Sequence, residues 1–182
     1  MLRRMDDQAQ QTLDQIRVNI AFEKMVTSVL TGAALGGALT LLLELLGLAF
    51  GGFSFGGLLV AVLDTVLASF LIFLVGFFAS VAIGAPLFIS LEKNKRRNVW
   101  PYLAAAIAVS IVAFVLSVGG LPAATDFNLG IVARIFVPAI FVALMFARMM
   151  APVWRAAEKA EADAAATQAG MGRNGTNIVR LH

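Results

Sequence analysis

The sequence predicts an all-α polytopic membrane protein: four transmembrane helices, an N-terminal amphipathic helix before them and a cytoplasmic C-terminal helical extension after them. Three observations predict it. From Met25 to Leu91 the chain carries only two charged side chains, Glu44 and Asp64. From Asn98 to Ala147 it again carries only two, Asp126 and Arg134. Of the 14 lysines and arginines, all but Arg134 lie outside these two blocks. One crossing of a bilayer takes about 20 apolar residues, so each block is long enough for two. The backbone must satisfy its own polar groups inside lipid, which restricts spanning segments to helices or closed barrels. Barrel strands alternate apolar and polar residues over short stretches, and these blocks do not.

The elements follow in order. Residues 1–24 place Leu2, Met5, Ala9, Leu13, Ile16 and Ile20 at helical spacing, with mixed charge on the other side. That is an amphipathic helix that lies on the membrane, continues into the first span or docks on a partner. Span 1 covers residues 25–50. Gly51 to Gly57 holds four glycines in seven residues and reads as a turn. Span 2 covers 58–91, more than one crossing needs, and is expected to tilt or to begin as an interfacial segment before Asp64. Span 3 covers 99–118. Gly119 through Asn128, with Pro122, makes the next break, and span 4 covers 129–150. Residues 151–182 form an Ala/Glu-rich helix over 153–168 and then a flexible tail from Gly170.

Orientation follows from the basic residues. Arg3, Arg4, Arg17 and Lys24 precede span 1. Lys93, Lys95, Arg96 and Arg97 fill the central loop. Arg148, Arg155, Lys159, Arg173 and Arg180 follow span 4. The two remaining loops have none, so both termini and the central loop are expected on the cytoplasmic side. Trp100, Tyr102 and Trp154 then sit at the inner interface. With no cysteine and no cleavable signal, the expected location is a bacterial inner membrane.

Composition excludes several chemistries. Without cysteine there is no iron–sulfur, thiolate-metal or palmitoyl site. The single histidine is His182, at the chain end, so neither a serine–histidine hydrolase nor a histidine proton relay within the spans is supported. All four lysines lie outside the apolar blocks, which excludes a Schiff-base lysine at membrane depth. Gly170-x-Gly172-x-x-Gly175 matches a dinucleotide fingerprint in spacing but lacks the strand–turn–helix setting. The net charge of +3 is explained by topology rather than by nucleic acid. No enzyme activity, metal or cofactor is expected.

Three groups of residues stand out. Glu44, Asp64, Asp126 and Arg134 all fall in the outer layer by helical rise, as a packing ion-pair cluster or a cation vestibule. Gly32 and Gly36 in span 1, and Gly76, Ser80 and Gly84 in span 2, make small-residue faces that admit close helix approach. Lys93, Lys95, Arg96 and Arg97 set topology and can meet anionic lipid headgroups. Few buried charges, small-residue faces and amphipathic ends fit a protein acting through protein–protein interaction, as an accessory or assembly subunit or a binding partner of a membrane complex. The alternative is a small oligomeric channel or transporter for a cation or proton. The expected partners are the bilayer and another membrane protein or further copies of the chain.

Overall fold

The computed structural model describes residues 2–117, 119 and 129–175, with side chains over 15–117, 119 and 129–167. It is helical, with α1 at Leu2–Gly51, α2 at Phe55–Ala79, a π-helical turn at Ser80–Gly84, α3 at Ala85–Lys93, α4 at Trp100–Ser117 and α5 at Leu129–Gly175. No strand occurs among the described residues. Four segments are long and apolar enough to cross a membrane: Gln15–Gly51, Phe55–Lys93, Trp100–Ser117 and Leu129–Thr167. The chain divides into two units, Met1–Ala147 and Arg148–His182.

The first unit holds the packing. α1 is one uninterrupted helix, so the N-terminal segment and span 1 are not separate elements. Of the predicted amphipathic face, Leu2, Met5, Ala9 and Leu13 have side chains outside the described residues, while Ile16 is exposed. The turn after α1 is narrower than the glycine cluster predicts. Gly52 takes the left-handed conformation (φ 103°), and Ser54 then caps α2, its Oγ accepting from Gly57 N–H at 3.0 Å. That cap draws Gly56 and Gly57 into the first helical turn. α2 runs unbroken through Asp64, so no separate interfacial segment precedes it.

Pro86 explains the π-turn. A proline in a helix lacks the N–H donor and its ring crowds the carbonyl four residues back. The chain absorbs this by widening just before it, and Ala85 N–H bonds Ser80 O, five residues earlier. α3 closes in a Schellman arrangement: Lys95 N–H reaches Glu92 O at 3.0 Å and Arg96 N–H reaches Leu91 O at 2.9 Å. The left-handed position falls on Lys95 (φ 54°), where glycine is the usual residue. α4 starts with Pro101 in its first turn, where a missing N–H costs nothing.

α1 and α2 pack antiparallel, glycines against side chains. A Cβ on Gly76 would lie 3.1 Å from Val29 Cγ1, and one on Gly84 would lie 3.4 Å from Met25 Sδ. A Cβ on Gly37 would run into Ser69. Gly32 and Gly36 serve α5 as well: Gly32 faces Val142, and Gly36 meets both Ile72 and the Pro138 ring, whose Cγ would lie 3.0 Å from an added Cβ. Towards the other end, Phe146 meets Tyr102 (centroids 5.1 Å apart) and Phe88 (6.5 Å, edge to face). Hydroxyls within the spans bond their own helices, as Ser28 to Lys24 O (2.7 Å) and Ser110 to Ala106 O (2.8 Å). The core is narrow and mixes small side chains such as Ala21, Ala33 and Ala61 with larger ones such as Met25, Phe88 and Phe146, while most of the apolar surface stays outside it.

In the second unit, the described backbone is helical from Arg148 through Gly175. The helix therefore includes Gly170, Gly172 and Gly175, where the sequence predicts a flexible tail. A continuous helix there also leaves no room for the glycine-loop geometry of a dinucleotide site.

Candidate functional site: two charge layers and an apolar tip

Charges gather at two levels of the first unit. At one level, which the sequence predicts to be the outer one, Arg134 Nη2 on α5 donates to Glu44 Oε1 on α1 at 2.7 Å. The side chains keep 36% and 31% of their surface, so the pair is only partly desolvated. The α1–α5 register explains the meeting. Gly32 lies against Val142 and Gly36 against Pro138, so one further turn sets residue 40 opposite residue 134. From there the long arginine side chain reaches one turn on, to Glu44. Thr40 is 1% exposed, and its hydroxyl has no hydrogen-bond partner among the described residues, nor has Arg134 Nε.

Asp64 does not join this pair. It is exposed and has no ion-pair partner among the described residues. The inward stripe of α2 is Ala61, Thr65, Ser69, Ile72 and Gly76, of which Ser69, Ile72 and Gly76 meet α1. Asp64 sits one residue, about 100°, around the helix from it. Asp126 lies outside the described residues.

At the other level, which the sequence predicts to be the inner one, Glu92 is the hub. Its Oε1 lies 3.0 Å from Arg97 Nη2 and 3.5 Å from Arg17 Nη1. Arg97 is 3% exposed, so it is turned into the protein rather than towards headgroups. Lys93, Lys95 and Arg96 are exposed. Glu92 and Arg17 are the residues that sequence reasoning missed. The available signal was a lone acid closing span 2 beside four cations.

The spacing of the two levels is informative. From Arg17 to Glu44 is 27 residues of α1, about 40 Å at helical rise. From Asp64 to Glu92 is 28 residues, about 42 Å. A bilayer with its headgroups is about 40–45 Å thick. The two levels of ion pairs are thus about as far apart as a bilayer with its headgroups is thick.

Beyond the outer level, the α1–α2 hairpin continues. Leu45–Leu63 contains no charged residue, and it extends about 10 Å past Glu44 along α1 and about 13 Å past Asp64 along α2. Its end is aromatic: Phe50, Phe53 and Phe55 are 90%, 74% and 81% exposed. Gly47, Gly51 and Gly56 face open space. Among the described residues no group of acids and histidines is placed to hold a metal ion. The chain matches no protein-family model, no curated protein and no solved structure.

Proposed function

We propose that this is a small integral inner-membrane protein, both termini cytoplasmic, that works by binding another membrane protein as an accessory or assembly subunit of a membrane complex. The observation that supports this reading is a mismatch of lengths. α4 has 18 residues and is about 27 Å long, which fits a hydrocarbon core of about 30 Å without tilt. The stretch of α1 between Lys24 and Gly51, with Glu44 as the one charge inside it, is about 40 Å long. Fitting it into the same core takes a tilt of roughly 40°, the limit of what transmembrane helices show.

Magnitudes decide how the excess is placed. Burying a phenylalanine is worth about 1.5–3 kcal/mol, so leaving Phe50, Phe53 and Phe55 in water forgoes about 5–9 kcal/mol. Sinking the tip to cover them draws Asp64 towards the hydrocarbon, at a cost of up to about 3.5 kcal/mol. The bilayer alone leaves one of these two groups in the wrong solvent. A protein surface at the outer end of the hairpin relieves both.

The test is the composition of the tagged chain extracted gently from its native membrane. A stoichiometric second protein is expected. A clean homo-oligomer overturns the reading and promotes a cation or proton channel, for which Glu44→Gln and Asp64→Asn must alter ion flux into liposomes.

A further inference from the structure

The turn from α3 to α4 joins two of the segments long and apolar enough to cross a membrane, Phe55–Lys93 and Trp100–Ser117. Its charge is unbalanced. Glu92 is the one acid between Asp64 and Asp126, and its Oε1 already meets two guanidiniums, Arg97 at 3.0 Å and Arg17 at 3.5 Å. That group is cationic before the turn itself is counted. Lys93, Lys95 and Arg96 add three more charges, all exposed. The next described charges on α1, Glu23 and Lys24, pair with each other at 3.3 Å and leave the excess as it is.

The backbone of the turn is shaped around one of these cations. Lys95 takes φ 54°, which favours glycine, and a glycine would close the Schellman turn without a charge. A lysine there gives up backbone ease and keeps a cation. The flanks of the turn are apolar. Ile89, one turn before Lys93 on α3, is 41% exposed, and Trp100, which opens α4, is 69% exposed. Tryptophan favours the headgroup level of a bilayer. Exposed cations flanked by exposed apolar side chains match a molecule that is anionic at one end and hydrocarbon at the other.

We infer that the α3–α4 turn is a binding site for an anionic phospholipid. Lys93, Lys95 and Arg96 meet the headgroup phosphate, and Ile89 and Trp100 lie beside the start of the acyl chains. Arg97 is a positioning residue: it is held inward on Glu92 and directs the turn rather than the lipid. The sequence offers four equivalent cations, and the fold reduces the set to three. Charge complementarity selects the occupant, because basic clusters at the end of a transmembrane helix attract anionic lipid, each cation contributing roughly a fivefold gain in affinity. The site is independent of the interaction reading above.

The experiment titrates the delipidated full-length protein in mild detergent with phosphatidylglycerol or phosphatidylcholine and counts bound lipid by native mass spectrometry. Phosphatidylglycerol should bind at least fivefold more tightly. Lys95→Gly should weaken it roughly fivefold, and Lys93→Gln, Lys95→Gly and Arg96→Gln together roughly a hundredfold, with phosphatidylcholine unaffected. Lys95→Gly should melt no lower than wild type, since glycine suits its backbone, so lost binding is separated from lost folding. Lys159→Gln removes an exposed cation of the second unit and should leave binding within twofold.

Equal binding of the two lipids overturns the inference. So does a Lys159→Gln effect as large as that of Lys95→Gly, which would reduce the attraction to net charge. Unchanged phosphatidylglycerol binding in the triple variant places the site elsewhere. Inorganic phosphate that displaces the lipid at millimolar concentration would show a site for free phosphate, and an acidic protein that displaces it would show a polypeptide site. Either result also overturns the assignment to lipid.

Discussion

The α1–α2 hairpin and the α4–α5 half share one bilayer yet are built to different lengths. On α5, Leu129 to Ala147, with Arg134 as its one charge, is about 28 Å of helix before Arg148, and α4 is of similar length. Phe55 to Leu91 on α2 and α3 has twice the apolar length of α4, with only Asp64 and a π-turn inside it. The difference teaches that apolar length and membrane span are separate quantities. A helix matched to the core needs only lipid around it. The excess on a longer helix must meet a tilt, a thickened bilayer or a protein. The glycines follow the same division. Gly32, Gly36, Gly37, Gly76 and Gly84 lie against neighbours, whereas at the overhanging end Gly47, Gly51 and Gly56 face nothing and only Gly57, against Leu48, is covered.

The largest test of this contrast is Gly32→Val. The new side chain would run into Val142, with Pro138 O 3.4 Å from its Cβ limiting retreat. Overpacking of this kind costs about 1–3 kcal/mol, and a β-branched residue on a backbone-facing notch belongs at the upper end. Unfolding in mild detergent should show a loss of about 3 kcal/mol. Wild-type melting would mean that the two halves do not meet along this glycine face.

Next comes Glu92→Gln, which strips the counter-ion from Arg17 and from Arg97. Removing one partner of a fully buried pair costs about 3–5 kcal/mol. Glu92 keeps 19% of its surface, so a loss near 2 kcal/mol is expected. Salt sharpens the reading: a screened surface pair would fade as ionic strength rises, whereas the effect at Arg97 should persist. If melting is unchanged, the packing of α1 and of the loop before α4 against α3 does not depend on this hub.

These results bear on how much the residues alone reveal. Charge-free length and glycine punctuation point to the four helices long and apolar enough to cross a membrane, because the bilayer penalises every charge and unbonded amide. They carry no azimuth. Glu44, Asp64 and Arg134 share a depth, and depth is what counting residues measures. Whether Asp64 faces Arg134 or the outside depends on which side of α2 meets α1. The small and hydroxyl residues Ala61, Thr65, Ser69 and Gly76 mark that side, at four- and seven-residue intervals, and place Asp64 off it. The cationic loop misleads for a related reason. Four basic residues within five positions look alike in sequence, but the Schellman turn at Lys95 sends Arg97 inward to Glu92 while Lys93 and Arg96 stay outside.

Arg134→Ala tests the outer tie between the halves, and its effect should be smaller. Both side chains keep about a third of their surface, so solvent already screens the pair, and a loss of about 1 kcal/mol is expected. Glu44→Gln should cost a similar amount, and the double variant little more than either alone, since both changes remove one interaction. Additive losses would show that Glu44 and Arg134 act independently. No change in either single variant would leave the outer layer without a packing role and return attention to flux.

The smallest effect separates the two halves most cleanly, because its sign changes with the partner. Gly47→Ala puts a methyl group into open space on a helix interior, where alanine is better than glycine by roughly 0.5–1 kcal/mol. The purified chain should therefore melt slightly higher. In the complex the same methyl group stands on the overhanging end of α1, where Gly47 and Gly51 lie four residues apart and allow close approach. Recovery of the partner should fall even as the isolated protein gains stability. A gain in both would place Gly47 in lipid, outside the contact. A loss in both would mean that Gly47 is already packed within the chain, and the division between used and unused glycines would not hold.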